Sequence, residues 1–348
     1  MTDSRSAAPR QAGVVLIVVL FFVLLLTSGI ATFVKRAAVD SMIARNRDGA
    51  ARAEALARGG VRLAGAILLE DLLREQESES HLETPGDAWA LVGQMEIETG
   101  DGAVLRLRIE DMGTRLNLNA LPFGSDAAAA PEETGLFLQA LLEKVIEELP
   151  VAPADKALYD PAALGASLID WLDPDEISAR GEDEDEYYQA QDPPYRAASR
   201  PLFSLEELRL IEGFDGRLVD GLRPYLTVYP WAPPPNIGGV NPNTAPPHVL
   251  ALLFFYDGVS YRFVDEEQVQ QILEIRADGG LLCGEEGGLC TALSRVVGPN
   301  PVFPPPSYSN RIFSVAARAQ VGDVTRTAEA VLDRGVEPPP RLLSWRIR

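Results

Sequence analysis

The sequence predicts an α+β chain: one long N-terminal helix laid on an antiparallel sheet, with a large, mostly helical domain inserted into that sheet. Three observations predict it. An apolar run from Val14 to Val34 continues without a proline into an amphipathic stripe that reaches about Gln76. Two stretches of alternating apolar and polar residues, one near position 100 and one near position 320, read as hairpins. The long segment between those hairpins carries helical periodicity, broken by proline-rich connections.

The elements follow in order. Residues 14–34 contain no charge and would span about 30 Å as a helix, enough to cross a bilayer once. The small residue Gly13 precedes this run, and no A-x-A pattern follows Val34, so the layout is wrong for an ordinary secretory signal. A cut after Gly13 would keep the apolar helix and leave Val14 as the new N-terminus; a plain unprocessed anchor is the other reading. Val39, Ile43, Ala50, Ala57, Val61, Ala64, Leu68 and Leu72 then form one stripe. Gly49, Gly59 and Gly60 in this stretch would let neighbouring helices of a filament approach closely.

Met95–Glu98 and Val104–Glu110 flank Thr99-Gly100-Asp101-Gly102 as a first hairpin. Ile312–Val321 and Val324–Leu332 flank Gly322-Asp323 as a second, and Leu342–Trp345 adds an edge strand. Helices are expected over Glu132–Leu149, Ala162–Leu172, Ser204–Ile211 with a capping box, Thr244–Tyr256 and Glu266–Arg276. The resulting organisation is a leader over 1–13, a membrane segment over 14–34, the helix and first strands over 35–125, the insert over 126–305, and returning strands over 306–348.

Charge and composition exclude several functions. With 51 acidic against 31 basic residues the chain carries a net charge of -20, which argues against phosphate backbones and anionic membrane surfaces. The positive-inside rule leaves orientation undecided, because Arg5 and Arg10 precede the apolar run while Lys35, Arg36, Arg45 and Arg47 follow it. Cys283 and Cys290, the only cysteines, bracket a Gly-rich loop and suit a small disulfide in an oxidising compartment. The alternative is two buried free thiols; a metal site would need two further ligands that His81 and His248 are badly placed to supply. No nucleophile elbow, P-loop or dinucleotide fingerprint occurs, so no enzyme activity is expected.

Between Asp170 and Asp192 lie ten carboxylates and one arginine, either a solvated run or a site for hard cations. Against an EF-hand template the spacing fails, since Ile177 and Ser178 fall on a ligand and on the turn glycine. Asn243-Thr244-Ala245 with the helix over Glu266–Arg276 has a helix-hairpin-helix outline, and Ser204–Phe214 looks like a partial second copy. Glu206, Glu207, Glu212, Asp215, Asp220, Asp265 and Glu266 stand where a DNA binder would carry Lys or Arg. The outline therefore reads as a SAM-like module for packing or partner contact, with no nucleic acid.

The Gly13-Val14 junction resembles the signal that prepilin peptidase cleaves and methylates in type IV pilins and type II secretion pseudopilins. Most members carry a glutamate at the fifth mature residue; here that residue is Val18. An acid buried in hydrocarbon is costly without a neighbour's amine, so a subunit with none ahead of it gains by lacking the acid. Arg115–Leu121, Leu168–Asp175 followed by Tyr187-Tyr188 and Pro193–Arg196, and Val240–Pro246 are similar to segments of the type II secretion system protein K family.

That resemblance implies a pilin-like fold with the insert, and an inner-membrane anchor with a large periplasmic domain. It implies a minor pseudopilin at the filament tip, partnered by other minor pseudopilins, the major pseudopilin and prepilin peptidase. It also implies calcium in the acidic run, with Asp173, Asp175, Glu182 and Asp183 as candidate ligands. A minor pilin of a type IV pilus or competence system would share the N-terminus but keep the fifth-position acid. An anchored periplasmic DNA-binding protein would explain the helix-hairpin-helix outline but not the charge.

Overall fold

The computed structural model describes residues 12–78, 82–123, 131–174, 185–229, 239–285, 290–335 and 339–348. Helix α1 (Ala12–Ser78) runs for 67 residues, about 100 Å, without a proline to interrupt it. Its apolar N-terminal part is exposed from Val14 through Val34. That part is long and apolar enough to cross a membrane.

Strands β1 (Glu96–Glu98), β2 (Val104–Asp111), β3 (Ile312–Val321), β4 (Val324–Asp333) and β5 (Arg341–Ile347) form one antiparallel sheet whose spatial order is the chain order. Alternation sets its inner face: Leu105, Leu107, Ile109, Val315, Ala317, Ala319, Ala328 and Ala330 are buried against Ala53, Ala57, Val61, Ala64 and Leu68 of α1. Gly322 turns β3 into β4 with a left-handed φ of 56° that glycine adopts without strain.

Two glycines of α1 sit against its own sheet. A Cβ on Gly60 would meet Ala317 Cβ at 2.8 Å and Leu105 Cδ1 at 2.9 Å, and one on Gly49 would meet Val324 Cγ2 at 3.3 Å. Gly49 and Gly60 thus let the helix settle onto its own sheet, whereas Gly29 and Gly59 meet nothing within 4 Å. These contacts also orient the molecule. Gly49 meets the β3–β4 turn, Gly65 meets Leu332, and Asp71 reaches Arg334 just beyond β4. The sheet end that holds Asp111 and Ile312 is therefore the end farthest from the apolar segment.

The insert leaves and returns at that distal end. It begins directly after Asp111, earlier than the boundary expected at residue 125, because Leu116, Leu118 and Leu121 are already buried in its core and Leu116-Asn117 pairs in parallel with Leu226-Thr227. Helices α2 (Glu132–Glu148) and α3 (Pro161–Leu172) pack together, followed by α4 (Gly216–Leu222) and α5 (Glu266–Ala277). Asp160 caps α3 through Ala162 N (3.1 Å) and Ala163 N (3.2 Å), and Asp265 and Gln268 cap α5 reciprocally.

Two helices expected from sequence take other forms. Leu205–Leu210 is a 3-10 helix, although Glu207 Oε1 does reach back to Ser204 N (3.1 Å). The helix expected over Thr244–Tyr256 is a single turn, Pro247–Leu250, followed by the strand Phe254–Tyr256. Pro246 and Pro247 permit only a helix start, and the aromatic run favours pairing with Tyr261–Phe263 and Val302-Phe303.

Candidate functional site: the junction at the distal end of the sheet

Two polar clusters fasten the top of the sheet, one to α1 and one to the insert. In the first, the buried Arg334 guanidinium pairs with Asp71 (3.1 Å) and Glu75 (2.9 Å) of α1 and with the fully buried Glu83, while lying 5.1 Å from the Phe313 ring centre. Glu83 also accepts from Trp89 Nε1 at 3.0 Å. Burial, helped by Asp87 and Glu75, pushes the Asp71 carboxyl up to about 6 against the pull of Arg334. Burial pushes Glu83 up to about 9, with Arg334 opposing and Glu75, Asp111 and Asp71 adding to the rise.

One arginine thus serves several carboxylates. Asp71, Glu83 and Asp87 are the one group of three described carboxylates whose oxygens lie within 4.8 Å of one another. Arg334 is the cation already engaged there.

In the second cluster, the buried Asp111 at the end of β2 accepts from Gly113 N (2.8 Å), Asn241 Nδ2 (2.8 Å) and Thr244 Oγ1 (2.6 Å). Burial raises its pKa and these donors resist the rise. A side chain at Gly113 would collide with Asn310 Nδ2 at 2.6 Å and Asn241 Cβ at 2.7 Å. The Val240–Pro246 segment, which resembled one of the family's motifs, is therefore the plug that meets the sheet.

Its Asn243 imitates a peptide group. Nδ2 donates to Leu282 O (3.0 Å) and Oδ1 accepts from Leu282 N (2.8 Å). Asn119 does the same with Leu202, at 2.8 Å in both directions, and Asn117 Oδ1 accepts from Tyr229 N at 3.2 Å. The asparagines of Arg115–Leu121 and Val240–Pro246 are structural, supplying pairing where no regular strand runs. The polar spacing in those segments was visible in the sequence, but their partners, some forty to over a hundred residues away, were not.

The other expected site residues distribute as follows. Gly13, Val14 and Val18 lie in α1, with Val14 and Val18 exposed. Asp173 is buried at the C-terminal end of α3; Asp175, Glu182 and Asp183 lie outside the described residues. The two flanks of the acidic run are drawn together by Trp171, Tyr188 and Tyr195, whose ring centres stand 5.1 to 6.3 Å apart. The carboxylates described at this base, buried Asp170 and Asp173 with the largely covered Asp185, are the hard oxygen donors that calcium takes. Cys283 and Cys290 form a disulfide. His248 is exposed beside Pro224 O at 3.3 Å, and His81 lies outside the described residues. Around the helix-hairpin-helix outline, Arg209 and Arg223 are engaged by Glu206 and Asp220.

Both the sequence and the fold have known relatives. The profile of the family described as type II secretion system protein K matches residues 114–231, the first part of the insert. The type II secretion system protein K of Klebsiella pneumoniae is 31% identical over 274 residues, covering 78% of this chain and 77% of its own length. This chain belongs to the type II secretion system protein K family. The protein K of Pseudomonas aeruginosa is 29% identical over 353 residues, covering 96% of this chain and 92% of its own. A chain in the crystal structure of the GspK-GspI-GspJ complex from enterotoxigenic Escherichia coli superposes with a TM-score of 0.56 at 19% identity, over 88% of this chain and 99% of that one, and so shares the fold. As a member of the protein K family, the chain is a minor pseudopilin of type II secretion.

Proposed function

We propose that this minor pseudopilin caps the tip of the filament. The observation that supports the reading is the position of the insert, which leaves and rejoins the sheet at the end remote from the apolar segment. A body of that size at the distal end occupies the space that a following subunit would need. Val18, in place of an acid, removes the carboxylate that such a subunit's amine would require.

On this reading the leader is cut after Gly13 by prepilin peptidase, and Val14–Val34 anchors the chain in the inner membrane with the remainder in the periplasm. The partners are the other minor pseudopilins, of the kind assembled with GspK in the Escherichia coli complex, and the major pseudopilin. Calcium binds in the acidic run through Asp173, with Asp175, Glu182 and Asp183 as further ligands. It would neutralise that run and stabilise the insert by mass action. The role is structural, with no catalytic step. Gold labelling of an epitope in the insert tests the capping role on sheared filaments: label confined to one end supports it, and label along the shaft overturns it.

A further inference from the structure

The outer face of the sheet carries a charge pattern at odds with the rest of the chain, and it goes beyond the capping role and is independent of it. The register places Arg106 directly opposite Arg318, and Arg108, Ala316, Glu329 and Arg346 in one row across four strands. The row beyond it is Glu110, Ser314, Val331 and Ser344. Small side chains in the middle and long ones at the rim leave an open groove of about 540 Å³, whose lining includes Arg108, Arg115 and Arg346.

Like charges directly opposed on neighbouring strands are unfavourable, and such local conflicts concentrate at functional surfaces. Arg318 and Arg115 are exposed and form no ion pair among the described residues. The pairs Arg108–Glu110 and Arg346–Glu329 have arginine side chains 74% and 62% exposed, so their partners exchange at little cost. Arg106, Arg108, Arg115, Arg318 and Arg346 share this face with Glu96, Glu98, Glu110 and Glu329, and Arg348 also reaches Glu329, an excess of cations on a chain whose net charge is -20.

We infer that this groove is a docking surface for an acidic, extended polypeptide segment of a partner protein. The guanidiniums do not converge on one point, as a phosphate site requires. They are spread over strands about 4.8 Å apart and over rows about 7 Å apart, the latter being the repeat of same-face side chains along an extended chain. The floor of Ala316, Ser314 and Val331 is flat enough to admit a backbone.

The test uses the full chain in non-ionic detergent and a fluorescent dodecapeptide of alternating Glu and Ala, with a Lys/Ala peptide as control. Fluorescence anisotropy should show binding of the acidic peptide alone, weakening as salt rises from about 50 to about 200 mM. The R108E/R318E variant should lose about tenfold or more in affinity with no fall in melting temperature. R209E/R223E, which alters net charge equally on the insert, should bind as the unmodified chain does. Retained binding by R108E/R318E overturns the inference. So does displacement by inorganic phosphate at the peptide's own concentration, or binding only of anionic vesicles. Concentration-dependent self-association lost in R108E/R318E would make a second copy the occupant and overturn it likewise.

Discussion

The sheet domain and the insert solve the same packing problem by opposite means. Under α1 the core is built from small residues in strict alternation. Ala53, Ala57, Ala64, Ala317, Ala319, Ala328 and Ala330 bring helix and sheet close together, and the strand ladder is regular apart from one shift at Val331/Leu332. The insert has a leucine- and aromatic-rich core in which helices α2, α3 and α5 are joined by short strands, single turns and 3-10 helices. Its backbone is satisfied instead by side chains, Asn117, Asn119 and Asn243 above all. Regular structure tolerates polar substitutions on its surface and fails when a gap is filled. Irregular structure tolerates changes of volume better than the loss of one buried amide.

The seam between the two should be the most sensitive place of all. Arg334→Ala leaves buried Asp71 and Glu83, and the half-buried Glu75, without their cation, and should cost about 4 kcal/mol in a denaturant melt, releasing the top of α1 from the sheet. Gly60→Val pushes atoms into Ala317, Leu105 and Leu107 and should cost up to about 3 kcal/mol. Site-resolved hydrogen exchange should then accelerate across β2 and β3 first and leave the insert protected. Asn243→Ala should cost about 2 kcal/mol through the stranded Leu282 backbone groups, with faster exchange near residue 282 and an unaltered sheet. If either variant loosened both regions equally, the contrast would collapse. Replacing Cys283 and Cys290 by serine should cost about 2 kcal/mol, confined to the insert.

A separate test is the pH dependence of the sheet domain. Asp71 and Glu83 bind protons more tightly folded than unfolded, their carboxyls rising to about 6 and about 9. The folded state therefore holds more protons in this range, and stability falls as pH climbs from about 5 toward about 9. Glu83→Gln keeps an acceptor for Trp89 and removes the titration, so its thermal melts should show a flatter profile. A wild-type profile that rises over this range would contradict the protonation scheme.

This contrast also explains what the sequence made legible. Alternation in Val104–Glu110 and Ile312–Leu332 announced the sheet, and the proline-free run to about Gln76 announced α1, because periodicity is local information. Periodicity gives no boundary for Arg115–Leu121, where the sheet passes into the insert; burial of Leu116, Leu118 and Leu121 in a core assembled from residues 116–297 groups them with the insert. Phe254–Tyr256 was expected in a helix because its apolar spacing fits either period, and only the partners at Tyr261–Phe263 and Val302-Phe303 settle it. Arg334, the hub of the seam, gave no signal: a single arginine after a strand is ordinary until its partners at 71, 75 and 83 fold onto it.

The account rests on α1 being one continuous element that serves first as anchor and then as filament helix. Intact mass and N-terminal peptide sequencing of the chain extracted from membranes of cells containing prepilin peptidase test this most directly. The account predicts a chain that begins at N-methylated Val14. A chain that retains residues 1–13 under those conditions would contradict it, leaving an unprocessed anchor with no route into the filament.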